Sequence, residues 1–449
     1  MPFTRPWRPL DQTRRPTSTR AADLRPVWRS GLGCVVLTAL ASNAFAQNAL
    51  TWSDVRARLQ ASNPMLQAGR LTIEESKADE ITAYLRPNPD WVVTFDQVGT
   101  TEQGTPFSGS TLSTAVSYLH ERRRKRELRR DSAAGDTTIA RSTQADLERE
   151  LLFMLRSAFV RTLQAKALQA LAEENLRTYN QVLSVGRDRL QTGDIAQVDL
   201  DRLELQRVTY VSDVQTATVN LRTAKIQLLR LLDEHGTPLD QFDVSGPYDF
   251  APPPSSLDDL RGAALEHRPD LHAAVQAIEK ARTDHRLAIA NGSSDPTITV
   301  NAGFPTISQA YLGYTPPMRE YLGISVGLPL RIFDRNQGEK QRTQIEITRN
   351  ERLADAARLQ ALSDVDTAYA TLVNTVTLLQ PYRTTYLDRA ARVRDTVTFS
   401  YQRGGVSLLD FFQAEQEYRT LRVSYVNLVA AYLNAAAQLN LAVGREVIP

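Results

Sequence analysis

The feature that most constrains this chain is an internal repeat. The segment from Tyr401 to Leu441 matches the segment from Leu190 to Arg230. In each copy a glycine, Gly193 or Gly404, stands six residues before an aspartate, and a helical pattern follows. Because the copies share one pattern, a fold adopted by one half predicts the same fold for the other.

Each copy carries a heptad stripe of apolar side chains, typical of helices that pack lengthwise against a neighbour. In the first copy the stripe is Leu203, Tyr210, Val214, Ala217, Leu221, Ala224, Leu228 and Leu231. In the second copy it is Ala414, Leu421, Tyr425, Leu428, Tyr432, Ala435, Leu439 and Ala442.

The N-terminal segment predicts export. Residues 1–30 hold seven arginines and two acids, an apolar run covers Gly31 to Ala41, and Ala44-Phe45-Ala46 follows. This order is typical of a signal peptide, which we predict over residues 1–46. A basic unstructured tail is the alternative.

The residues after position 46 carry no sign of catalysis. The only cysteine, Cys34, lies in the predicted signal peptide, which excludes disulfides and thiolate chemistry in the exported chain. The five histidines show no metal-ligand spacing, and no nucleophile, P-loop or dinucleotide motif occurs. We therefore predict no enzyme, no cofactor and no metal site. Beyond Gln47 we also find no run of ~18 apolar residues that predicts a membrane helix.

Four segments alternate bulky apolar residues with small or polar ones, which predicts strands near 90–98, 111–119, 297–304 and 321–330. Alternation alone favours an amphipathic sheet on a soluble core. Aromatic residues around the segments, together with export and the long helices described next, favour a membrane β-barrel instead. These aromatic residues are Trp91, Phe95, Phe107, Tyr118, Phe304, Tyr311, Tyr314 and Tyr321.

The rest of each half predicts helices. A long helix over 121–191 would measure ~105 Å and must pack along partners. It is followed by a turn at 192–196 and a helix over 197–232. The second half predicts a helix over 333–403, kinked at Pro381, a turn at 404–406 and a helix over 407–442. The first repeat thus covers 47–246 and the second 257–449, and the proline-rich linker 233–256 is predicted to lie outside the helices.

A run of cations, Arg122, Arg123, Arg124, Lys125 and Arg126, follows the second predicted strand. Cations at the start of a helix oppose its dipole, so an external anion is expected to compensate them. Their position favours anionic headgroups at the membrane rim, and a solvated surface is the alternative.

Two copies of helix, hairpin, very long helix, glycine turn and heptad helix behind a signal peptide resemble the outer-membrane efflux protein family, the TolC-like export ducts. The resemblance covers nearly all of the chain after residue 46. It implies a mainly α fold with a small membrane β-barrel. Three chains would share a twelve-stranded β-barrel, four strands from each, and an α-helical barrel in the periplasm of a Gram-negative bacterium. The implied partners are a periplasmic adaptor protein, an inner-membrane pump of the resistance-nodulation-division (RND) type and outer-membrane lipid, with no nucleic acid.

The resemblance also implies roles for residues of the two turns. Asp410 corresponds to a constriction aspartate of the periplasmic gate, and Asp199 to an aspartate that accepts a hydrogen bond from Tyr401. The adaptor-contacting tips are Gly193, Ile195, Gly404 and Val406. Val406 and Gln413 replace an arginine and an aspartate found in some members, which predicts a more weakly latched gate.

The sequence therefore predicts a passive exit duct of a tripartite efflux pump, gated at its periplasmic tips. Metal-cation export is slightly favoured over drug export by the resemblance. The alternatives are the outlet of a type I protein secretion system and a soluble periplasmic coiled-coil scaffold.

Overall fold

The structure repeats one order of helices and strands twice. It is a computed structural model that describes residues 49–96, 111–234, 236–252, 256–305 and 320–448. The predicted signal peptide and most of the loops within the two hairpins, with Phe107, Tyr311 and Tyr314, lie outside these ranges. Helices dominate, and one small antiparallel sheet joins the halves, as the predicted fold class requires.

The first half contains α1 and α2, strands β1 and β2, and then two long helices. Their bounds are α1 Trp52–Ser62, α2 Pro64–Tyr84, β1 Asp90–Asp96, β2 Thr111–Leu119, α3 Lys125–Gln191 and α4 Gln197–Leu231. The second half has the same order, with α5 Leu257–His267, α6 Pro269–Asn291, β3 Thr297–Pro305, β4 Tyr321–Gly327, α7 Gln337–Pro381, α8 Leu387–Gln402 and α9 Leu408–Val443.

Both long helices begin four residues later than the sequence predicts, at Lys125 and Gln337. The residue before each start is left-handed, with φ of 55° at Arg124 and 60° at Asn336. A left-handed residue breaks the helical path, and composition gives no sign of it because arginine is a good helix former elsewhere.

The second long helix is interrupted after Pro381, where the sequence predicts a kink. A π-helical turn, Tyr382–Tyr386, separates α7 from α8. Proline cannot donate the backbone hydrogen bond that a continuous helix needs, and a π turn accommodates that loss.

The sheet has the order β1-β2-β3-β4, with every pair antiparallel. Its register aligns the bulky residues on one face, as in Val116 opposite Val300 and Val300 opposite Ile324. The other face carries small and polar residues, as in Ser117 opposite Thr299. Strand β4 ends before the predicted residue 330, consistent with the missing amide hydrogen of Pro329.

The heptad stripes face the interior. Leu203, Leu228 and Leu439 are fully buried, and α4 packs on α3 while α9 packs on α7 and α3. By length and composition alone, α9 could cross a membrane, although the sequence pattern predicts no such helix. More than half of its most apolar window is buried inside the protein, as in the core helix of a soluble bundle.

The linker does not lie outside the helices as predicted. Phe242, Val244 and Phe250 are buried in the clusters that hold the helices together. Val244 also forms a parallel bridge with Leu50. The prolines of this segment set its extended backbone, and its three large apolar side chains bring it onto the bundle.

Candidate functional site: the two helical tips

The first tip is the turn between α3 and α4. Gly193 has φ +80°, the left-handed conformation that glycine adopts without a steric cost. Its amide donates to the carbonyl of Leu190 at 3.1 Å, and the amide of Asp194 donates to the carbonyl of Arg189 at 2.8 Å. This pair of hydrogen bonds is a Schellman end, which satisfies the last carbonyls of α3.

The second tip, between α8 and α9, has the same backbone. Gly404 has φ +77°, and its amide donates to the carbonyl of Tyr401 at 3.0 Å. The amide of Gly405 donates to the carbonyl of Ser400 at 2.8 Å. Both glycines are therefore required by the turns themselves, whatever partner the tips contact.

A cluster of buried aromatic and aliphatic side chains lies directly behind both tips and is named the tip core. It consists of Tyr179, Val182, Leu183, Leu200, Leu203, Tyr210, Tyr401 and Phe411. Tyr179 stacks on Tyr210 with ring centroids 4.4 Å apart, and Tyr401 stacks on Phe411 at 4.9 Å. Because side chains of both repeats form the core, the two tips are held as one unit.

Arg189 connects the tips directly. Its guanidinium donates to the backbone carbonyl of Tyr401 at 2.7 Å and lies over the Tyr401 ring, 5.3 Å from the centroid. The sequence analysis did not identify this residue. The sequence does contain a sign of its role. The equivalent position in the second repeat is Ser400, so a charge occurs in only one of two otherwise similar turns.

The hydrogen bond expected between Tyr401 and Asp199 is absent. The Tyr401 hydroxyl is buried without a hydrogen-bond partner, and the Asp199 carboxylate contacts Arg202 at 3.5 Å. Burial raises the pKa of Tyr401; Arg189 opposes that rise and Asp199 adds to it. Asp199 thus lies close to Tyr401 without bonding to it, and its carboxylate contacts Arg202, one turn along the same helix.

Asp410 is exposed at the second tip and closes a capping box with Ser407. The Ser407 hydroxyl donates to Asp410 Oδ2 at 2.7 Å, and the Asp410 amide donates back to the Ser407 hydroxyl at 3.2 Å. Asp199 stands at the same position of the first tip, but Ala196 at its N-cap offers no side-chain hydrogen bond. The two aspartates therefore differ in environment although they match in sequence.

The predicted adaptor-contacting residues are not all surface residues. Gly193 and Gly404 are exposed, whereas Ile195 and Val406 are half-buried and pack against the tip core. Their apolar side chains gain more from that core than from water. What remains accessible at the tips is mainly glycine backbone and the polar residues around it.

Glu415 lies beside the tip core and has no ion pair within 4.0 Å among the described residues. One of its carboxylate oxygens is buried without a hydrogen-bond partner. Burial raises the pKa of Glu415, while Arg394, a hydrogen bond with Thr398 and Arg419 oppose the rise. Glu204, its counterpart in the first repeat, is exposed and contacts Arg187 at 2.8 Å.

The predicted membrane-rim cluster is only partly available to lipid. Lys125 is 4% exposed and pairs with Asp295 at 2.6 Å, and the Arg122 amide also donates to Asp295 at 2.9 Å. The expected external anion is therefore replaced, at Lys125, by a carboxylate of the second repeat. Arg123 and Arg124 remain exposed, and Arg126 lies over the Tyr84 ring at 4.4 Å.

Among the described residues no group of three or more histidine, cysteine, aspartate or glutamate side chains could hold a metal ion. The tips therefore offer hydrogen-bonding backbone, cations and carboxylates at the end of a helical bundle. Such an arrangement can attract or repel ions by charge.

Known proteins of one family resemble this chain. Residues 260–445 match the family model described as outer membrane efflux protein. The chain is 24% identical over 390 residues to the cobalt-zinc-cadmium resistance protein CzcC of Cupriavidus metallidurans, covering 86% of this chain and 87% of that protein.

Solved structures share the fold. The channel protein CusC superposes with a TM-score of 0.73 at 18% identity, covering 88% of this chain and 92% of the other. The outer membrane channel CmeC of Campylobacter jejuni gives 0.71 at 11% identity, covering 88% and 85%. This chain is similar over most of its length to outer membrane efflux proteins, and these relatives are outer-membrane channels and not enzymes.

Proposed function

We propose that this protein is the exit duct of a tripartite efflux pump. Three copies would share one β-barrel in the outer membrane and extend it through the periplasm as a helical tube. A periplasmic adaptor protein would dock on the tips and connect the duct to an inner-membrane RND-type pump, which supplies the energy. Transport through the duct itself then needs no chemistry.

The sheet carries this proposal. Its bulky face is exposed in the single chain, with Trp91 and Ile324 each 73% accessible. Strands β1 and β4 are edges of the described sheet, and lipid does not tolerate open edges. Four strands cannot close alone, whereas sharing the sheet among copies pairs every edge and turns the apolar face towards lipid.

A pair of lysine substitutions on β3 tests the barrel. Val300→Lys places a charge on the apolar face and Thr299→Lys places one on the small, polar face of the same strand. A cation at the lipid face costs about 2–4 kcal/mol at the bilayer centre. We expect Val300→Lys to reduce the yield of detergent-extracted trimer strongly and Thr299→Lys to leave it near wild type. Equal effects, or a wild-type protein that is monomeric and soluble without detergent, would support a periplasmic scaffold instead.

We further propose that Asp410 lies in the constriction of the periplasmic gate. It is an exposed carboxylate at the second tip, and a ring of three would attract cations. Asp410→Asn keeps an acceptor for Ser407 and removes the charge. We expect it to lower the cation preference of single channels in planar bilayers, with Asp199→Asn as the matched control. Unchanged selectivity would remove Asp410 from the constriction.

The cargo we propose is a metal cation, with a drug as the second candidate. The support is the likeness to CzcC, which spans most of both chains. Deleting the gene should lower tolerance to cobalt, zinc or cadmium, and a plasmid copy should restore it. Unchanged metal tolerance with loss of a secreted protein would favour the outlet of a type I secretion system.

A further inference from the structure

A cavity outside the tips has the character of a ligand site. It has a volume of about 290 Å³ and lies where α1, α3, the start of α6 and the end of α9 meet. Its apolar lining comes from Trp52, Leu152, Phe153, Pro269, Ala437 and Leu441. A concave apolar site with a few polar groups is the usual form of a small-molecule site.

The charged groups of this cavity are mostly neutralised. Arg56 pairs with Glu446 at 2.9 Å, and Arg149 pairs with Asp146 at 2.6 Å. Glu148 accepts a hydrogen bond from Gln60 at 2.7 Å. These groups have partners within the chain, and Arg445, the other cation of the lining, is exposed to water.

Arg156 differs from them. Its guanidinium lies over the Trp52 ring, 4.7 Å from the centroid, and forms no ion pair or hydrogen bond with any residue in the described part of the chain. Burial lowers the pKa of Arg156, and the Glu446 carboxylate at the same cavity opposes that shift only in part. Because arginine stays protonated in proteins, this is a cation beside an apolar wall with no directly bonded anion among the described residues.

We propose that this cavity binds an amphipathic anion, whose carboxylate pairs with Arg156 and whose hydrocarbon part packs on Trp52, Phe153 and Leu441. The guanidinium matches the planar, bidentate geometry of a carboxylate. The apolar lining excludes a small hydrophilic anion as the best ligand, and the cation excludes a neutral hydrocarbon. The proposed occupant is a free small molecule, and a carboxylate of a second copy is the competing occupant that the test below distinguishes.

The fluorescence of Trp52 can report ligand binding in this cavity. Trp7 and Trp28 lie in the predicted signal peptide, so the exported chain keeps only Trp52 and Trp91. In a Trp91→Phe background, Trp52 is the single tryptophan, and ligand in the cavity should change its fluorescence. The protein is the full chain, assembled in nanodiscs of zwitterionic phosphatidylcholine, and the probe is octanoate. Octanol and octyltrimethylammonium test the need for the negative charge.

We expect saturable binding of octanoate and no saturable binding of the other two probes. Arg156→Ala should raise the Kd by about tenfold or more, the usual effect of losing a charge-assisted hydrogen bond. Arg156→Lys should retain part of the affinity. Arg161→Ala, which removes an exposed cation on the same helix outside this cavity, should leave the Kd unchanged.

Ala145→Phe provides a second variant that fills the cavity without removing a charge, and it should also abolish binding. No binding of octanoate by the wild-type assembly would overturn the proposal, as expected if another copy of the chain filled the site. Equal binding of octanol would overturn the role of Arg156. Neither result depends on conductance or on metal tolerance, so failure here leaves the proposed duct untouched.

Discussion

The two tips have the same backbone and different side-chain chemistry. Each ends its incoming helix with a left-handed glycine and the same two hydrogen bonds. The first tip then starts α4 at Ala196 without a side-chain cap, whereas the second starts α9 with the Ser407 and Asp410 capping box. The repeat therefore preserves the path of the chain and leaves its electrostatics free to diverge.

The two tips contribute different side chains to the contacts between them. The first repeat provides six of the eight residues of the tip core and Arg189, which reaches across to the second tip. The second tip provides Tyr401 and Phe411, which stack on each other within the core. A gate of the kind proposed above would therefore depend on the Tyr401–Phe411 stack of the second tip and on the Arg189 hydrogen bond from the first. Substitutions at Phe411 and at Arg189 separate these two contributions.

The largest effect is expected from the packing. Phe411 is 1% exposed, and its counterpart in the first repeat is Leu200. Phe411→Ala should cost about 3–5 kcal/mol of local stability, because it leaves a cavity and removes the stack on Tyr401. Hydrogen exchange of peptides at both tips measures this, since each 1.4 kcal/mol changes the opening constant by about tenfold.

Leu200→Ala is the matched control. It should increase hydrogen exchange less than Phe411→Ala does, and mainly at the first tip. Equal increases at both tips from either substitution would mean that packing is shared evenly. The dependence on the second tip would then be wrong.

An intermediate effect is expected from the bond between the tips. Arg189→Ala removes a charged donor to the Tyr401 carbonyl and a cation over its ring. The loss should be about 1.5–3 kcal/mol, and it should raise the resting conductance of the channel in planar bilayers. Arg187→Ala breaks only the exposed pair with Glu204, worth about 0–1 kcal/mol, and should leave conductance unchanged. Similar conductance in both variants would remove Arg189 from the gate.

The difference between these two arginines also shows what the sequence could predict. Periodicity identified the buried stripe, the strand faces and the two glycine turns, because each depends on residues close together in the chain. It could not identify the partners of Arg189 or of Lys125, whose contacts join positions 212 and 170 residues away. Such contacts depend on how the two repeats pack together, which no local pattern records.

The hydrogen bond that the resemblance predicted for Tyr401 was wrong for the same reason. It supplied a hydrogen bond to Asp199, but Arg202 holds that carboxylate and Arg189 occupies the face of the Tyr401 ring. Because Val406 replaces an arginine found in some members, the sequence predicted a weakly latched gate. Arg189 supplies a cation from the opposite tip, so we expect the latch to depend on it.

The smallest effect is expected from Glu415, where substitution changes charge without changing volume. Burial raises the folded-state pKa of Glu415 above its usual value of 4.5. The stabilisation is therefore fully present below that value and is lost as the pH rises through the folded pKa, when the buried carboxyl ionises. The groups around it are Arg394, Asp395 and Thr398 on α8, Arg419 on α9, and Tyr179 and Tyr210 behind the tips.

We expect the wild-type channel to conduct less at acidic pH than at neutral pH, because the protonated carboxyl keeps the tips packed. Glu415→Gln mimics that protonated state, so its conductance at neutral pH should equal the acidic value of the wild type. Glu204→Gln alters the exposed counterpart, which is paired with Arg187, and should retain the wild-type pH dependence. If both variants respond to pH alike, the asymmetry between the repeats does not reach the gate, and the response comes from carboxylates exposed at the tips.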